Sequence, residues 1–126
     1  MNAGSTERKM KVLFILNDAP YGTEKAYNAA RLAMTMQKEN PDVDVQMFLL
    51  ADAVGCALPG QHTPQGYYNI ERMLRSVIGK GGKVKVCGSC VDARGMPTLS
   101  LIEGVEKSSM SELAQWSLSA DKVFTF

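Results

Sequence analysis

Cys87 and Cys90, two residues apart in the sequence CGSC, are the side chains of this 126-residue chain best suited to covalent chemistry. The thiolate rather than the thiol is the nucleophile and the metal ligand, so what matters is whatever favours the anion. CGSC follows the apolar run of a strand, and Ser89-Cys90-Val91-Asp92 has a Ser-x-x-Asp pattern that can cap a short helix. Both sulfurs then lie at or near a helix N-terminus. Unpaired N–H groups and the helix dipole favour negative charge there, and a free thiol pKa of about 8.5 can fall by one to several units. Arg94 adds positive potential if its side chain turns back. Four readings stand side by side: a reactive thiol, a reversible dithiol, half of a metal site, and two inert cysteines.

The remaining candidates are weaker. A zinc site needs three or four protein ligands, and only Cys56 and His62 are left to complete one; their spacing matches no known zinc module. No metal is therefore expected. Cys56, between Gly55 and Ala57, reads as a small buried hydrophobe, and His62 as a solvent-facing loop residue. The loop Asn17 to Ala26 opens a helix but carries Gly22 alone, against the three spaced glycines of a dinucleotide fingerprint or the Gly-Lys-Ser/Thr of a P-loop. It reads as a turn set by Pro20 and Gly22. The methionines read as core or interface filling.

The elements that must position the thiols follow from hydrophobic spacing. Lys11 to Asn17 is a nearly continuous apolar run, suited to a strand buried on both faces and expected at the centre of the sheet. Thr23 to Gln37 has helical spacing and ends before Asn40-Pro41, and a second strand covers Val43 to Leu50. Gly55 to Gly66, with two prolines, three glycines and no charge, reads as a long loop. Ile70, Met73, Leu74, Val77 and Ile78 mark an amphipathic helix, after which Lys83 to Val86 is a third strand running into Cys87. Pro97 reads as the first position of a short helix over Thr98 to Ile102, and Val105 to Lys107 as a brief strand. Ser109 and Glu112 form a capping box before the helix Met110 to Leu118, and Lys122 to Phe126 is the last strand. Strand and helix alternate throughout, which implies a three-layer α/β/α sandwich around a five-stranded parallel sheet. Chemistry gathers at the carboxyl ends of such strands, here Asn17 to Thr23, Asp52 to Gly66 and Cys87 to Gly95.

Composition bounds the function. Residues 1–9 read as a disordered polar arm and 10–126 as one domain. Fourteen basic against thirteen acidic residues leave a net charge of +1, too little for a polyanion-binding field, which sets nucleic acid aside as a partner. No stretch approaches the roughly 20 apolar residues of a membrane span, so no membrane partner is expected. Three cysteines, an odd number, argue against a secreted disulfide framework and for the cytoplasm.

The segments APYGTE, FLLADAV, NIERML, KVCGSCVDARG and ELAQWSLSADKVFTF, in this order, closely resemble the DsrE/DsrF-like family, and in particular its YchN-like branch. The match spans Lys11 to Phe126. The resemblance implies a flavodoxin-like sheet and small proteins assembled as rings or trimers of dimers, hence a homo-oligomer and most simply a hexamer. It also implies sulfur relay, in which a cysteine after the third strand carries a persulfide between a donor and an acceptor protein. In the sulfur-carrying members that cysteine lies eight residues before a glycine that follows arginine, the place Cys87 holds relative to Arg94 and Gly95; Cys90 fits the YchN-like pattern. The functional expectation is a sulfurtransferase-like persulfide carrier, with Cys87 as nucleophile, Arg94 stabilising its anion, Cys90 as a resolving thiol and no cofactor. The alternative is a non-enzymatic oligomeric scaffold or a thiol redox sensor. The charge-free loop Gly55 to Gly66, with Leu58, Tyr67 and Tyr68, is the expected contact between subunits.

Overall fold

The computed structural model describes residues 9–126. The expectation of a polar arm over 1–9 therefore lies, apart from Lys9, outside the described residues. The chain runs β1 (Lys11–Leu16), α1 (Lys25–Glu39), β2 (Asp44–Leu49), a 3₁₀ helix (Ala51–Ala57), α2 (Ile70–Gly79), β3 (Lys83–Cys87), α3 (Gly88–Ala93), β4 (Val105–Ser108), α4 (Met110–Ser119) and β5 (Lys122–Thr125). All five strands are parallel and form one sheet in the order β4-β3-β2-β1-β5.

That order explains the layers. Steps from β1 to β2, β3 and β4 all move the same way across the sheet, so right-handed crossovers put α1, α2 and α3 on one face. The return from β4 to β5 crosses the other way and puts α4 on the opposite face. There Trp116 meets Phe48 edge-on at 6.1 Å between ring centroids, and Lys85 Nζ stands 4.7 Å above the same indole. The three-layer sandwich is the architecture expected from the alternation of elements. One expectation fails: β1 is interior, but β2 is the middle strand, because β5 adds only a single strand beyond β1. Buried runs on both strands, Val12 to Phe14 with Leu16, and Val45 to Leu49, are what a doubly covered strand requires.

Two local expectations are corrected. The segment after Pro97 forms turns rather than a helix, since Thr98 to Ser100 are exposed and offer no apolar face to anchor one. The loop expected over Gly55 to Gly66 begins inside the 3₁₀ helix, which buries Ala53, Val54, Cys56 and Ala57. Small side chains there let the backbone lie against β3 and α3.

Where α2 returns to β3 the chain makes a tight approach. A methyl group on Gly82 would sit 2.6 Å from Val77 Cγ1 and 2.7 Å from its carbonyl oxygen, beside the buried Gln37 whose Nε2 donates to that same carbonyl at 3.0 Å. Gly82→Ala should therefore cost about 1–3 kcal/mol of stability in denaturant unfolding, as overpacking does. Gly79→Ala, in open space at the end of α2, should be neutral or stabilising by up to about 1 kcal/mol.

Candidate functional site

The site is built by the register between the two middle strands. Leu49 of β2 pairs with Val86 of β3, so the chain leaves both strands at the same level, and residues 50–52 emerge beside Cys87. β3 ends on Cys87 and α3 starts at the next residue, leaving no loop between strand and helix. Both cysteines are thus held by regular structure on one side and by the 3₁₀ helix on the other.

Cys87 itself, rather than Ser89, caps α3: its sulfur accepts a hydrogen bond from the Cys90 N–H at 3.3 Å. Ser89 lies within the first turn, where its hydroxyl stands 3.3 Å from the same sulfur. Only 6% of Cys87 is exposed, and this burial pushes its thiol up; hydrogen bonds from the side chains of Cys90 and Ser89 and from both their backbone N–H groups outweigh it. The net result lies below the usual thiol range. Cys90 moves the other way, raised by burial and by its hydrogen bond and proximity to Cys87, and opposed only in part by the Ala51 N–H and the charge of Arg94. The two neighbouring thiols are thus shifted in opposite directions.

Arg94 is not turned to Cys87. Its Nε donates to Asp52 Oδ1 at 2.9 Å and its Nη1 to the Cys90 carbonyl at 3.2 Å. The expected support for the Cys87 anion comes instead from the first turn of α3. Ala51, at φ 50° in the left-handed region, directs its N–H to the Cys90 sulfur at 3.3 Å. Ala51 escapes sequence reasoning because no local motif marks it, and Asp52 is reached there only as the start of the strand-end segment Asp52 to Gly66, with no role; the signal is that both follow a buried strand whose partner ends in CGSC.

The other candidates are not gathered here. Cys56 is fully buried, and burial raises its thiol to about 12. His62 lies in a groove of about 620 Å³ with Thr63, Gln65, Arg72 and Arg75. Among the described residues no three His, Cys, Asp or Glu side chains converge on a common point. The loop after β1 carries Tyr21, which joins Tyr27, Tyr67 and Tyr68 in a single stack, with centroids 4.0 to 5.9 Å apart. Its hydroxyl accepts from the N–H of Ile70, tying the first two loops together.

A small parallel α/β domain whose third strand runs directly into a paired dithiol defines the class. The profile of the DsrE/DsrF-like family matches residues 10–126, and the chain belongs to that family. It is 46% identical over 116 residues to protein YchN of Escherichia coli K12, covering 92% of this chain and 98% of that protein. It is 39% identical over 117 residues to the uncharacterized protein MJ0989 of Methanocaldococcus jannaschii, covering 93% and 100% respectively. The crystal structure of YchN from E. coli superposes with a TM-score of 0.89 at 45% identity, covering 93% of this chain and 99% of that one. MTH1491 of Methanobacterium thermoautotrophicum, at 12% identity and a TM-score of 0.77 over 94% and 100% of the two chains, shares the fold.

The reacting form is the thiolate, so alkylation of Cys87 should climb with pH and level off below the pH at which an ordinary thiol does, whereas Cys90 should level off above it. With iodoacetamide at neutral pH, peptide mapping should find Cys87 labelled first, Cys90 later and Cys56 only on unfolding. Ser89→Ala should slow Cys87 by about three- to tenfold, the loss of one hydrogen bond to a charged group partly offset by gained nucleophilicity. Equal labelling of all three cysteines would contradict this ordering.

Proposed function

We propose that the protein is a persulfide carrier of the sulfur-relay type, taking sulfane sulfur on Cys87 from a donor protein and presenting it to an acceptor. The observation that supports this reading best is the hydrogen-bonded sulfur at the end of β3, shifted towards its anion and adjacent to a second thiol shifted the other way. The Cys87 thiolate attacks a terminal sulfane sulfur, the donor's S–S bond breaks, and the electron pair leaves on the donor sulfur. Cys87 then holds S–S⁻, stabilised where the thiolate was. Delivery takes one of two routes. An acceptor thiolate attacks the outer sulfur and restores Cys87, or Cys90 attacks Cys87 Sγ, forming a disulfide and releasing hydrosulfide, which takes the Cys90 proton. The second route consumes both thiols, and a dithiol reductant must then restore them. No cofactor enters either route.

Belonging to the family supports this reading, and the same proposal places the protein in the cytoplasm, where such thiols remain reduced. Among the described residues no helix is long and apolar enough to cross a membrane. After incubation with a persulfide donor, intact mass should show one added sulfur per chain, lost in Cys87→Ser and retained in Cys90→Ser. An adduct that survives Cys87→Ser and vanishes in Cys90→Ser would move the carrier role to Cys90. No adduct in either background would leave the scaffold or redox-sensor reading.

We further propose a homo-hexamer. Among the described residues α4 is the one helix on the face opposite α1 and α2; it buries little beyond Leu113 and leaves Met110 62% and Leu118 89% exposed, with Val123 of β5 46% exposed. This surface has the unpaired apolar side chains that a subunit contact uses, whereas in the expected contact around the loop Gly55 to Gly66 Cys56 and Ala57 are buried, Leu58 and Tyr68 half-buried, and Tyr67 is 48% exposed. Light scattering at micromolar concentration should give six times the chain mass, and Leu118→Asp should lower it. A monomer would rule the assembly out.

A further inference from the structure

Arg94 and the 3₁₀ helix serve the second sulfur. We propose that Arg94, tethered by Asp52, is the positioning residue of Cys90: it fixes this thiol against the Ala51 N–H and supports the negative charge that the sulfur must carry when it displaces the sulfur held on Cys87. The inference deepens the persulfide reading and rests on it for the reaction concerned.

Two contacts meet at Cys90, one from the 3₁₀ helix and one from the end of α3, and a third holds the second of them in place. The Ala51 N–H reaches the Cys90 sulfur at 3.3 Å, Arg94 Nη1 holds the Cys90 carbonyl at 3.2 Å, and Asp52 Oδ1 holds Arg94 Nε at 2.9 Å. They close a loop of interactions from the 3₁₀ helix through Arg94 to Cys90 and back to the residue before Asp52. The Asp52 and Arg94 side chains are 68% and 34% exposed, so their ion pair adds little to stability, and its consequence is geometric. The ionisable groups acting on Cys90 are Cys87 at the end of β3 and Arg94 at the end of α3, with Asp52 behind Arg94. In the reduced protein burial, the hydrogen bond to Cys87 and the proximity of that sulfur favour the protonated Cys90. Once sulfur is loaded, the charge moves one bond outward onto the terminal atom. The proton of Cys90 then leaves with the departing hydrosulfide, the Cys87 S–S bond to that atom breaks, and the Cys87–Cys90 disulfide forms. The Ala51 N–H and Arg94 are the groups placed to favour the anionic Cys90 sulfur on that path.

The test has two arms. In a Cys87→Ser background, Arg94→Gln should raise the pH at which Cys90 alkylation levels off and slow labelling at neutral pH by about three- to tenfold, with Arg94→Lys recovering part of the loss because it keeps the charge. In a Cys90→Ser background, the same Arg94→Gln should leave the Cys87 profile in place. In the second arm, protein loaded with inorganic polysulfide and desalted is followed by hydrosulfide release and by mass. Release and disulfide formation per loaded chain should slow in Arg94→Gln by the factor seen for Cys90 alkylation. Equal shifts of both cysteines, or no shift of either, would overturn the assignment. If the wild-type chain takes up no sulfur, the carrier reading fails, and the first arm still decides which thiol Arg94 serves.

Discussion

The parallel register of β2 and β3 is the constraint on which the site depends. Because Leu49 lies opposite Val86, the residues that follow each strand meet at one level, and the backbone after β2 becomes a wall for the sulfurs after β3. A slip of one residue would turn every side chain of β2 to the opposite face, exposing Met47 and Phe48 to the wrong layers. Core packing therefore sets the placement of Ala51 and Asp52 as firmly as any local bond. The site's geometry is a by-product of how the sheet buries its apolar residues.

The two cysteines share a helical turn yet sit in different electrostatic surroundings. Cys87 is served by groups from its own segment, the N–H of Cys90 and the hydroxyl of Ser89, whereas Cys90 is served from across the sheet by Ala51 and, through Arg94, by Asp52. Environments that push two titratable groups apart assign them different roles. The two sulfurs are shifted in opposite directions, and burial and side-chain hydrogen bonds contribute more to this asymmetry than formal charge does.

The family, the layered architecture and the two thiols were legible in the sequence, because apolar runs, alternation of elements and CGSC are all local patterns. What was not legible depended on distance in the chain. Arg94 lies four residues after Cys90, and proximity alone pointed it at Cys87; its actual partner, Asp52, is 42 residues away. Ser89 had the residue type of a cap, but β3 running into α3 without a loop put Cys87 in that position. Placing β1 at the centre followed from its apolarity, which β2 matches; only the crossover back to β5 decides between them. The helix expected after Pro97 failed because a start signal without an apolar face is insufficient.

Cys56 sits in the same 3₁₀ helix that presents Ala51 and Asp52, sealed from solvent and held protonated at physiological pH. Of the three sulfhydryls one is thus sealed in the core, and the other two are neighbours at the end of β3, Cys87 nearly covered and Cys90 half-buried. In the proposed carrier, oxidation closes between Cys87 and Cys90 within one polypeptide and leaves only the sealed Cys56 unpaired, so no reactive sulfur is left over to cross-link separate copies.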